Sequence, residues 1–301
     1  MDTERQIISE NTINVARTGV YFSRAAATDA AIHNILISNN VIDLADVNHG
    51  DAIPKAGVEI ASNYGVSNVK ISNNTIRANG ATYASAGFIV ACPTAGQSHA
   101  GIEIINNKTY LTTYGTYSYN NVGSVKDIKI EGNTWYDLID FGAAVPVGVF
   151  LANAGAITTT LAVIKNNTAM DINGVSAADI GIYLDGLITN LIMSGNEFYG
   201  MSANVTNTAT ITNFTGEYQV ITTVYDPPNI AAGATLTVDG PAVAGAKFGD
   251  IVEVAAPYDL QGIIAAAYVQ SANDVYLVLH NPTAGDIDLG SGTWKFYVRT
   301  K

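Results

Sequence analysis

Asp137 and Asp171 are the residues best placed for bond-breaking chemistry. Each follows an asparagine, Asn133 or Asn167, by four positions in two segments of matching form. If those segments stack, the two carboxylates come about 5 Å apart beside Trp135 and Tyr136, the separation of a retaining glycosidase pair. Mutual repulsion then raises one pKa and keeps that group protonated as the acid. The alternative is a pair of turn-forming aspartates in loops that diverge. Asp140 is a further candidate acid, as is Glu59, expected to face outward between Tyr21 and Ile89.

A second set of residues suits binding rather than cleavage. One position short of Asp137 and Asp171, the equivalent places carry Asn14, Asp43, Arg77, Tyr110, Tyr136, Met170 and Tyr199. Tyrosines on successive turns of the chain form an aromatic strip, on which sugar C–H faces pack while hydroxyls bond neighbouring polar groups. Tyr110, Trp135, Tyr136, Tyr199 and Arg77 are therefore the candidate carbohydrate contacts. The competing reading puts these tyrosines in a contact between chains or under a loop. A calcium-assisted lyase would need clustered aspartates with an Arg or Lys base, and only Arg77 lies near the acids. His33, His49, His99 and His280 show no metal-ligand spacing and read as surface or loop residues, so no metal or cofactor is implied.

The elements that must position these groups repeat along the chain. Asn68-Val69-Lys70-Ile71-Ser72-Asn73-Asn74-Thr75-Ile76 reads as a strand, a polar corner and an apolar residue beyond it. The same form recurs with anchors at Asn11, Asn40, Asn74, Asn107, Asn133, Asn167 and Asn196, whose positions subtract to spacings of 29, 34, 33, 26, 34 and 29. A period of about 30 residues built on one short strand and one turn signals a solenoid. No segment between anchors keeps a helical period, so the coils are those of a parallel β-helix. A glycine-led strand precedes most anchors, at Gly19, Gly57, Gly87, Gly148 and Gly181, with glycine expected to permit the bend into the strand. The coil between Asn107 and Asn133 reads as lacking that form, with Thr116-Tyr117-Ser118-Tyr119 in its place. Asparagine suits the anchor because it tolerates a left-handed turn and can bond its stacked equivalents.

Outward positions of the anchor strand are Ile7, Leu36, Lys70, Glu103, Lys129, Val163 and Ile192. The central three form an alternating charge ladder of small energetic weight. The apolar flanks need cover, from neighbouring subunits about a three-fold axis or from long loops.

Composition narrows the class further. Charged residues are 13%, Gly numbers 28 and Tyr 16, as suits a β-rich chain with glycine turns. A net charge of −12 argues against nucleic acid as a partner. No apolar run approaches the ~18 residues of a membrane span, and no apolar stretch of the secretory type follows Met1. The single cysteine, Cys92, reads as a buried thiol at a strand end. The first coil begins by Ile7 without a cap, as expected of a chain that starts against another domain or a partner.

After Tyr225-Asp226-Pro227-Pro228 the pattern changes to short alternating segments without the asparagine repeat. These read as a small antiparallel sandwich, giving a parallel β-helix over 1–218 and a β-sandwich over 219–301. The asparagine-cornered coils with glycine-led strands resemble the right-handed parallel β-helices of the pectate-lyase-like superfamily, which includes bacteriophage tailspikes. The segments Ala231-Ala232-Gly233, Asp259-Leu260-Gln261-Gly262 and Ile287-Asp288-Leu289-Gly290-Ser291-Gly292-Thr293 look like a small β-domain at the ends of phage tail proteins. The resemblance implies a homotrimeric, virion-tail receptor-binding protein that recognises host surface glycan, with other tail proteins at its N-terminal end. It equally allows a depolymerase of capsule or O-antigen, or a structural tail component. The chain departs from typical tailspikes in showing no N-terminal virion-attachment domain.

Overall fold

The computed structural model describes residues 6–15, 17–23, 32–45, 54–78, 84–120, 122–139, 145–154, 157–171, 179–216, 219–243 and 246–299. Every regular element among them is a β-strand. The chain divides into two compact units, Met1–Thr210 and Ile211–Lys301.

The first unit is a parallel β-helix with three sheets. Anchor strands such as Ile32–Ser38, Val66–Ser72, Ser98–Ile105 and Asp127–Glu131 pair side by side as the first sheet. Past each corner, a short strand joins the second sheet: Thr12–Val15, Val41–Leu44, Thr75–Ala78, Lys108–Tyr110, Thr134–Tyr136, Thr168–Met170 and Glu197–Tyr199. The glycine-led strands, among them Lys55–Ala61, Ser85–Ala91, Tyr114–Asn120 and Val147–Asn153, make the third. Side chains alternate across each strand. The inner set is apolar: Ile71 from the first sheet, Ile76 from the second and Val58 from the third are all fully buried.

The corners run on a hydrogen-bond ladder. Each anchor donates Nδ2–H to the Oδ1 of the next, from Asn11 through Asn40, Asn74, Asn107, Asn133 and Asn167 to Asn196, at 2.9–3.0 Å. The other Nδ2 hydrogen of an interior anchor reaches a carbonyl of the preceding coil, as from Asn107 to Ile71. Each Oδ1 also accepts the backbone N–H of the anchor before it, as Asn107 does from Asn74. The interior amides are therefore satisfied although Asn40, Asn74, Asn107, Asn133 and Asn167 are at most 1% exposed.

The left-handed backbone expected at the anchor belongs instead to the residue before it. Glu10, Asn39, Asn73, Asn106, Gly132, Asn166 and Gly195 all have φ between 52° and 66°. One residue makes the bend and the next makes the ladder. The glycines of the third sheet also differ from expectation, because none of the six has positive φ. They are there for close approach: a Cβ on Gly57 would lie 2.5 Å from the Ile76 side chain, and one on Gly148 would lie 2.6 Å from the Gly181 carbonyl and 2.9 Å from Trp135. The coil expected to lack this glycine has it at Gly115, where a Cβ would meet Trp135 at 2.2 Å.

His99 is also not the surface or loop residue expected. It is fully buried in the strand Ser98–Ile105, with Nδ1 accepting from the Val66 N–H and Nε2 bonded to the Ala91 carbonyl. That geometry needs the neutral ring with its proton on Nε2, and burial holds the pKa below the ordinary 6.5. Cys92 is buried as expected, and burial pushes its thiol pKa up.

The second unit holds two three-stranded antiparallel sheets. Gln219–Tyr225, Gly292–Arg299 and Ile251–Ala255 form one; Thr235–Ala242, Asp274–His280 and Ile264–Ser271 form the other. The central strands send Trp294, Phe296 and Val298, and Val275, Leu277 and Leu279, into one core. The fold is thus all-β, a parallel β-helix followed by small antiparallel sheets, as the sequence implies.

Four stability predictions follow from this packing. Asn107→Ala leaves buried N–H and carbonyl groups unpaired and is expected to lower urea-unfolding stability by about 3 kcal/mol or more. Asn11→Ala, at the exposed end, is expected to cost under about 1 kcal/mol. Gly148→Ala is expected to cost about 2–3 kcal/mol by overpacking against Trp135, read as a drop in melting temperature. Because His99 titrates lower when folded, the unfolded chain takes the proton first as pH falls. Stability should therefore be full above pH 6.5 and decline below it, more steeply than in His99→Gln.

Candidate functional site

The outward face of the second sheet carries two columns in strict register. One runs Asn14, Asp43, Arg77, Tyr110, Tyr136, Met170, Tyr199. The other, two residues earlier on each strand and so on the same face, runs Thr12, Val41, Thr75, Lys108, Thr134, Thr168, Glu197. Every member of both columns is exposed or half-buried. The corner ladder holds successive coils level, so residues some thirty positions apart become neighbours.

The rings of Tyr110 and Tyr136 stack on each other, with centroids 4.6 Å apart and planes 4° from parallel. Each covers one face of the other. Tyr199, 53% exposed, donates its hydroxyl to Glu197 at 2.8 Å, and that bond raises its pKa. Arg77 lies 3.8 Å from Asp43.

Arg77, Tyr110, Tyr136 and Tyr199 therefore share one face, whereas Trp135 does not. Its side chain points inward, is fully buried, and packs beneath Gly115 and Gly148. It cannot touch a sugar and serves the core, although its Nε1–H has no hydrogen-bond partner among the described residues. Glu59 is also displaced from its expected role. It sits on the third sheet, in register between Tyr21 and Ile89, but is only 4% exposed and accepts a 3.0 Å bond from the Thr18 hydroxyl.

Asp137 and Asp171 continue the ladder beyond the tyrosine column. Their backbone N–H groups bond the Met170 and Tyr199 carbonyls at 2.7 and 2.9 Å. The two corners then differ: Asp137 is half-buried with φ of 49°, whereas Asp171 is buried and outside the left-handed region. Asp140 lies outside the described residues. Among the described residues no group of three or more His, Cys, Asp or Glu side chains is arranged to hold a metal ion.

Sequence reasoning missed two features. Lys108 and its threonine neighbours share the face with the tyrosines, and the two-residue alternation of a strand was signal enough to find them. The third sheet carries its own outward ring column, in which Phe150 stacks on Tyr117 at 5.0 Å and on Tyr183 at 5.1 Å. Burial pushes the Tyr117 hydroxyl pKa up to about 12, with Tyr114 and Tyr119 adding to it. The glycine-led form of Gly115-Thr116-Tyr117 was the overlooked clue.

No protein-family model and no curated protein matches the sequence. Among solved structures, the chain is similar to the tailspike of Pseudomonas phage phi297, at 10% identity and a TM-score of 0.25, over 98% of this chain and 66% of that one. It is also similar to the tailspike protein of Pseudomonas phage LKA1, at 11% identity and a TM-score of 0.22, over 95% of this chain and 66% of that one. The chain thus spans just under two thirds of either tailspike's length.

Proposed function

We propose that this chain is a tailspike-like receptor-binding protein of a phage virion tail, in which the outer face of the second sheet holds a polysaccharide of the host surface. The observation that carries the reading is the pair of in-register columns. Tyrosine and threonine hydroxyls, with Arg77 and Lys108, recur on a face whose residues are exposed or half-buried. A polymer of repeating hydroxylated units meets there a lattice of donors and acceptors whose spacing is the strand separation of about 4.8 Å. The backbone under that lattice is fixed, so little ordering is required when a ligand binds.

The same reading assigns the first sheet to contact between copies of the chain in a homotrimer. Its outward column is in register as expected, from Leu36 through Lys70, Glu103 and Lys129 to Val163 and Ile192. Ile7, at the head of that column, is 54% exposed. Apolar residues at both ends of an exposed strip are covered when copies associate. Bond cleavage is not part of the proposal.

Light scattering after size exclusion tests the assembly, with three times the 31.5 kDa chain mass expected. A bacterial polysaccharide array tests recognition. Tyr136→Ala is expected to weaken binding about tenfold or more, by loss of a hydroxyl and a packed ring. A stable monomer that retains no polysaccharide would contradict the reading.

A further inference from the structure

Lys108 shares the outer face of the second sheet with Arg77. The chain carries a net charge of −12, and two cations of the first sheet stand beside acids: Lys70 is 4.0 Å from Glu103, and Lys129 is 2.5 Å from Glu131. Lys108 is exposed and has no ion pair among the described residues. It stands in register between Thr75 and Thr134, while Arg77 on the adjacent strand is in register with Tyr110. The two cations are therefore diagonal neighbours, their backbones about 7–8 Å apart, within reach of a single bound anion. The Arg77–Asp43 contact at 3.8 Å joins side chains 57% and 35% exposed, so it is readily exchanged for a ligand.

We infer that the polysaccharide units read by this face carry an anionic group, a carboxylate or a phosphate, bound between Lys108 and Arg77. The inference rests on the saccharide-binding reading and narrows it to acidic polymers. Asp43 meets only the Arg77 side of this pair, so an anion between the two cations gains charge-assisted bonds of the strong kind from both. Thr75 and Thr134 flank Lys108 with hydroxyls, and Tyr110, stacked on Tyr136, is in register with Arg77. Those neutral groups suit the hydroxyls of the same sugar unit. Neither a bare phosphate site nor an apolar docking surface would have this mixture.

The full chain should be tested by biolayer interferometry on three immobilised sets. These are capsular polysaccharides bearing uronic acids, poly(glycerol phosphate) teichoic acids, and neutral surface polysaccharides with dextran. Binding is expected to an anionic set, to fall as salt is raised, and to drop about tenfold or more in Lys108→Gln and in Arg77→Gln. Lys126→Gln, which removes an exposed cation elsewhere, should bind as wild type. Binding to uronic-acid polymers alone identifies a carboxylate; binding to teichoic acids alone identifies a phosphate. Equal binding to the neutral set, or anionic binding unchanged in Lys108→Gln, overturns this inference and leaves the saccharide reading standing. No binding to any polysaccharide overturns both.

Discussion

A row of side-chain amides, each donating to the next, is the constraint on which the β-helix depends. A buried amide has two donors and two acceptor sites, and leaving them unpaired is expensive. The stacked arrangement satisfies them only when each coil places its asparagine directly over the last. Coil length is thereby free to vary, since the 26-residue step from Asn107 to Asn133 and the 34-residue step from Asn133 to Asn167 end at the same corner.

That constraint has a consequence at the surface. The second sheet begins directly after the ladder, so its three- and four-residue strands inherit the ladder's register with little room to drift. Columns of like position become rows of neighbouring side chains, and Tyr110 stacks on Tyr136 because nothing else sits between them. The same logic sets Lys108 diagonal to Arg77. The arrangement of this outer face is a by-product of how the interior is bonded.

The fold was legible because its signal is repeated: seven copies of a strand, corner and apolar residue survive any one irregular coil. Roles within the repeat were harder to assign. The bend and the ladder fall on adjacent residues, such as Asn73 and Asn74, and two consecutive asparagines hide the division of labour. Gly132 and Gly195, which precede Asn133 and Asn196, show it more plainly: the bend requires only a permissive backbone. The glycines of the third sheet misled for a related reason. A missing Cβ can serve a bend or a close neighbour, and only the packed core shows that Ile76 and Trp135 need the space.

Individual site residues were legible in proportion to their distance from a corner. Arg77, Tyr110, Tyr136 and Tyr199 lie three positions past their anchors and keep to one face. Trp135, one position nearer, alternates inward. Glu59 sits on the right column but is buried, because a strand's outward face is not always the protein's surface. His99 was unreadable as core from its type alone, since two backbone partners, Val66 in the preceding coil and Ala91 in its own, make its burial tolerable. The claim beneath all of this is the amide ladder itself, and hydrogen exchange of asparagine side-chain amides followed by NMR tests it most directly. The account predicts that the Nδ2 hydrogens of Asn40, Asn74, Asn107, Asn133 and Asn167 exchange orders of magnitude more slowly than those of the exposed Asn34 and Asn68. Exchange of all of them at a common, solvent-like rate would contradict it.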